Sequence, residues 1–141
     1  VKVRSLRELH ARFKLCVALT STERDDRGMY VWRDENGVPE FWSPTSERYV
    51  YQHTDDPANA HGLWFDCPAC FETNGHGVLV GFAGRNAPSP LSVGKDGKPT
   101  YWIVSGTSLD DLVLTPSILL HDGCNWHGFV GSSGVPLGHA A

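Results

Sequence analysis

Sulfur is scarce in this sequence: its 141 residues include four cysteines and one methionine. Four cysteines are too few for the dense disulfide framework of a small secreted domain, and Cys67 and Cys70 stand too close to staple a long loop. No apolar run nears the ~20 residues that a membrane span requires. The first residues, VKVRSLRELHARFK, carry charge where a secretory leader has its apolar stretch. These absences point to a soluble protein of a reducing, cytoplasmic compartment. Two metallohydrolase signatures are missing as well. His-Glu-x-x-His does not occur, and no His-x-Glu precedes the cysteine pair, so a zinc protease and a zinc deaminase both lack their general base.

The remaining composition, 40% apolar and 20% charged, is that of a folded globular chain. At this length we expect one domain over residues 1–141, burying about 68% of the surface of the unfolded chain. The formal charge of −4 is unevenly spread. Residues 1–14 hold Lys2, Arg4, Arg7, Arg12 and Lys14 against Glu8, a balance of +4 that leaves −8 for the rest. A basic arm could lie along phosphates; an acidic body repels them. The arm also reads as a short amphipathic helix, with Ser5 as cap, Glu8 three residues on, and Leu6, Leu9 and Phe13 on one face.

Strand and turn signals dominate thereafter. LCVAL (15–19) reads as a strand. Asn36-Gly37 joins two β-prone runs in a hairpin, for which both residues accept positive φ. RYVYQ (48–52), GVLVGFAG (77–84) and TYWIVS (100–105) supply further strands, with a loop at NAPSPLSVGKDGKP (86–99). HGFVGSSGVPL (127–137) reads as a last hairpin turning at SSG, and GHAA as a frayed end. The expected fold is mainly β (small α+β): an antiparallel sheet, zinc-knuckle loops of zinc-ribbon or treble-clef type, and the N-terminal helix.

What is present in chemistry is a pair of half-sites. Cys67-Pro68-Ala69-Cys70 and Cys124-Asn125-Trp126-His127 share one spacing. A turn of this length aims two side chains at one point and turns backbone N–H groups toward the thiolates; Pro68 sets φ at its entry. Together they make a Cys₃His set for one tetrahedral Zn²⁺ per chain: Cys67, Cys70, Cys124 and His127. His76 is the alternative to His127, and His61 and His121 also lie near. A redox cysteine pair is the competing use, but CFETNGHG is a poor helix start for it.

LTPSILLHDGCNWHGFVGSSGV (114–135) resembles the C-terminal signature of a family of small zinc-site proteins from tailed phages and prophages. Related domains lie beside bacterial ubiquitin-like conjugation genes, and some phage members carry the label ammonia monooxygenase, which nothing in this chain supports. The likeness extends to SLRELHARF, DCPACFETNGHGVLVGFAGR and YWIVSGTSLDDLVLTPS. It places the family's cysteine pair on Cys67 and Cys70 and its last element on Gly123 to Phe129, with His76 and Arg85 also matching. Residues 28–60, with the Asn-Gly hairpin, fall outside it as an elaboration. The resemblance implies metal binding and a phage origin, hence the host-cell cytoplasm, and no reaction.

Three functions compete. A site with four protein ligands has no open position for substrate, so the first is a non-catalytic interaction module for a host or phage protein. Its contact residues would be the aromatic set Trp32, Trp42, Tyr49 and Tyr51. The second is a metal- or thiol-dependent hydrolase using Cys16 or Cys124 with a histidine, or Asp110 and Asp111 as acid and base. The third is a nucleic-acid-binding zinc domain contacting phosphates through Lys2, Arg4, Arg7 and Arg12.

Overall fold

The computed structural model describes residues 4–71, 76–119, 126–131 and 135–140. Among the described residues there are ten strands: β1 (Arg12–Thr20), β2 (Tyr30–Arg33), β3 (Pro39–Ser43), β4 (Glu47–Thr54), β5 (Gly62–Asp66), β6 (Gly77–Gly81), β7 (Ile103–Ser105), β8 (Val113–Leu119), β9 (Trp126–Gly131) and β10 (Val135–Ala140). They form two four-stranded antiparallel sheets, β4-β1-β5-β6 and β10-β9-β8-β7, and a separate β2-β3 hairpin. A short parallel bridge between Phe82 and Trp102 ties the end of the first sheet to the start of the second.

Alternation decides which faces meet. In β5 and β6, Leu63, Phe65, Val78 and Val80 are buried; in β8 and β9, Leu114, Ile118, Trp126 and Val130 are buried. All belong to one cluster shared by both sheets, which also includes Leu6, Leu9 and Phe13. Period-two burial of one face per sheet is what an antiparallel sandwich-like core requires. The β1–β4 pairing runs from Phe13↔Thr54 to Thr20↔Glu47, so β4 is integral to the first sheet. Of residues 28–60, only the β2-β3 hairpin stands apart from the two sheets.

Three local expectations are corrected. No helix is present among the described residues. The capping box forms, with Ser5 N–H donating to Glu8 Oε1 (3.1 Å) and Glu8 N–H to Ser5 Oγ (3.2 Å). The turn closes at once, however: Ala11 N–H reaches back to Leu6 O (3.0 Å) and His10 N–H to Arg7 O (3.1 Å). With His10 at φ 56°, this is the paired-bond ending normally found at a helix C-terminus. Burial of Leu6 and Leu9 therefore comes from a single turn, and β1 begins at Arg12. At the hairpin, only Gly37 has positive φ (80°). Asp34 does the work expected of Asn36, its carboxylate accepting the N–H groups of Asn36 and Val38 at 2.9 Å each. Gly138 to Ala140 are not frayed but pair with β9 as part of β10, and Ala141 lies outside the described residues.

Candidate metal centre

β5 and β6 are antiparallel neighbours, with Asp66 opposite Gly77. The connection between them therefore starts and ends at one place. Cys67 leaves β5 and His76 enters β6, and the ladder continues one step beyond the strands, Cys67 N–H donating to His76 O at 2.8 Å. Cys70 N–H donates to Cys67 O at 3.2 Å, closing the tight turn through Pro68 and Ala69 that folds the second thiol back toward the first. As a result one ligand atom from each of Cys67, Cys70 and His76 lies within 4.8 Å of the others.

This group can hold a metal ion. A tetrahedral ion with bonds of ~2.0–2.3 Å separates its ligand atoms by roughly 3.5–3.8 Å, so only a small inward adjustment is needed. Cys67 is fully buried in the shared core, while Cys70 and His76 are half-buried. A thiol at the end of a core strand is held by packing, and sulfur and imidazole donors favour soft or borderline ions over Mg²⁺ or Ca²⁺.

The centre is enclosed by residues without any motif in the sequence. Asp66 N–H donates to Leu9 O (2.9 Å), and the His10 ring lies 2.7 Å from Asp66 Oδ2 and 5.8 Å from the ring of Phe71. The Arg4 guanidinium sits 4.5 Å from the centre of that ring. The N-terminal turn thus grips the cysteine knuckle from one side. On another, the Trp64 indole lies over Gly77, where an added Cβ would come within 2.0 Å of its Nε1. None of these contacts has a local signal; only the adjacency of Asp66 and Gly77 to two ligand candidates hints at a role.

His127 is not in the group. It is exposed on the opposite face of β9 from buried Trp126, with Nε2 3.1 Å from Ser117 Oγ. Cys124 and His121 lie outside the described residues. Trp126, two positions after Cys124, packs edge-on to Phe65, two positions before Cys67, at 6.4 Å between ring centres. His61 is also elsewhere, its Nδ1 accepting the backbone N–H of Cys16 at 2.9 Å. Arg85 directs one guanidinium nitrogen at the carbonyls of Pro57, Ala58 and Ala60 (2.8–3.0 Å) and so braces the loop before β5.

The other candidate residues are placed as follows. Trp32 is buried under Arg48 and Phe41, so it is corrected out of the contact set; Trp42, Tyr49 and Tyr51 are exposed. The Asp110 carboxylate is held by Arg7 in a two-pronged pair at 2.6 and 3.0 Å, which keeps it below the usual carboxylate range. Asp111 is likewise lowered, by the N–H groups of Ser108 and Thr107. Each acid already serves its own local bonds. Burial pushes the Cys16 thiol above its ordinary value, the opposite of an activated nucleophile. Arg7 and Arg4 are engaged with Asp110 and Phe71, and Lys2 lies outside the described residues. Among the described residues no helix is long and apolar enough to cross a membrane. Compared with protein-family models, curated proteins and solved structures, the chain matches none.

Proposed function

We propose that this chain is a structural zinc protein and a non-catalytic interaction module, with Cys67, Cys70, His76 and Cys124 as the four ligands of one Zn²⁺. The observation that carries the reading is the convergence of Cys67, Cys70 and His76 at the mouth of the β5-β6 hairpin. His76 takes the place first given to His127, because the latter projects from the outer face of β9. Cys124 is the natural fourth donor. Trp126, two residues after it in sequence, packs beside Phe65, two residues before Cys67.

Zinc bound by four protein groups supplies a cross-link between the two sheets and no open coordination position. The chain's own part is to hold the ligands. Cys67 is anchored by core packing, Cys70 by the knuckle hydrogen bond, and His76 by its backbone bond to Cys67. Activity then lies in contacts to another protein. The exposed rings of Trp42, Tyr49 and Tyr51 offer that surface, and the resemblance to phage zinc-site proteins makes a phage or host protein the partner.

Metal quantification on the purified protein tests the ligand set. The expected content is one zinc per chain, lost in Cys70→Ser and His76→Ala and kept in His127→Ala. Zinc retained by His76→Ala and lost from His127→Ala would return His127 to the site. A folded wild-type protein with no tightly held metal would reject the reading altogether.

A further inference from the structure

The second sheet has an unusual outer face. Not one residue of β7, β8, β9 or β10 is Asp, Glu, Lys or Arg. The first sheet, by contrast, carries Arg12 and Lys14 on β1 and Glu47 and Arg48 on β4. Register places Ile103, Thr115, Leu119, His127 and Phe129 on the side away from the core. Ile103 is 67% exposed, and Leu119 and Phe129 about half. Tyr101 and Val93, 48% and 56% exposed, continue this surface, lining with Leu119 and Pro116 a shallow groove of about 290 Å³. Half of the large exposed apolar side chains among the described residues are therefore gathered here.

A contiguous apolar face of this extent is as large as the biggest patch of a typical single protein, is often functional, and gains free energy when covered. We propose that the outer face of β7-β8-β9 is a twofold interface joining two copies of this chain. Charge argues for a second copy. In a twofold contact the same patch faces itself, residue i meeting j and j meeting i, so a patch of one charge sign would repel itself. A face with no formal charge escapes that penalty and desolvates no ion. The acidic body, carried mostly by other surfaces, stays in water and holds the pairs apart from further association. Area agrees. At these exposures the five apolar side chains offer on the order of 100 Å² each, roughly 500 Å² together. With the Ser and Thr between them, that approaches the ~800 Å² per partner of a standard interface. The aromatic hairpin surface differs, since Glu40, Glu47 and Arg48 are interleaved with its rings.

Sedimentation velocity or light scattering on the metal-replete protein, from about 1 to 200 µM, tests this directly. A monomer–dimer equilibrium is expected within that range. Ile103→Lys and Phe129→Lys each place an unpaired charge on both halves of the interface and should weaken dimerisation about 100-fold or more. Ile103→Ser, a gentler change at a solvent-facing position, should weaken it by a smaller factor with unaltered circular dichroism. Trp42→Lys should leave it unchanged. A protein monomeric at 200 µM would overturn the proposal. So would a dimer indifferent to the Ile103 and Phe129 changes, or one dissolved by Trp42→Lys. The metal reading stands or falls separately, since zinc content is measured in the same samples.

Discussion

Cys67, at the end of β5, shows how one residue serves two structures: it is a core side chain with no exposed surface, and it is one donor of the metal group. Its neighbours set measurable costs. Gly77 has no room for a methyl group beneath Trp64, so Gly77→Ala must displace the indole or the strand. We expect a loss of about 1–3 kcal/mol in urea unfolding, accompanied by weaker zinc retention because His76 is adjacent. An unaltered midpoint would mean that Trp64 moves freely. His61 gives a second test at this scale. Its Nδ1 is the acceptor for the N–H of buried Cys16, and Nδ1 can accept only when it carries no proton. His61→Ala orphans that donor and should cost about 1–3 kcal/mol, with the metal content unaffected.

Among the elements, the N-terminal turn and the segment before β8 carry the sharpest consequences. Leu9 is fully buried, and its carbonyl receives the N–H of Asp66 beside the knuckle. Leu9→Ala should therefore lower stability by about 2–5 kcal/mol, as core truncations do, and speed zinc transfer to a competing chelator. Asp110 and Asp111 have folded-state pKa values below those of the unfolded chain, Asp110 chiefly through Arg7 and Asp111 through backbone N–H groups. A depressed carboxyl stabilises the fold above its unfolded value, near 3.9, and loses that contribution as pH falls through the lower folded value. Stability should thus decline below about pH 4. Asp111→Asn should flatten the decline and be less stable than wild type at neutral pH. Equal acid sensitivity in both proteins would show that other groups govern it. How far the elements were legible follows from their signals. Strands were readable wherever alternation or turn residues marked them, as at Gly37. The capping box at Ser5 and Glu8 was also readable, but it does not say how long the turn continues. His10 stops it through a left-handed backbone, a conformation the side chain does not announce.

For the whole molecule, two sheets share one core and are joined by covalent chain, by the Phe82–Trp102 bridge and, in our reading, by the metal. Structural zinc in small peptides contributes ~10–16 kcal/mol, comparable with the whole stability of a domain. A strong chelator should therefore unfold the protein, or lower its melting temperature by tens of degrees, and added zinc should restore it. The half-site Cys67-x-x-Cys70 was legible from spacing alone, because a four-residue turn brings its own ends together. In our reading the histidine was not. Symmetry of spacing favours His127, whereas β-sheet alternation turns that side chain outward and the β5-β6 ladder carries His76 to the thiols. Spacing reports local reach; only the pairing of strands reports which distant residue arrives. The most direct test of the account is X-ray absorption at the zinc edge of the purified protein. Three sulfur atoms at ~2.3 Å and one nitrogen at ~2.0 Å are predicted, with the nitrogen contribution lost in His76→Ala. A first shell of two sulfurs with water oxygen, or a folded protein with no zinc signal, would contradict it.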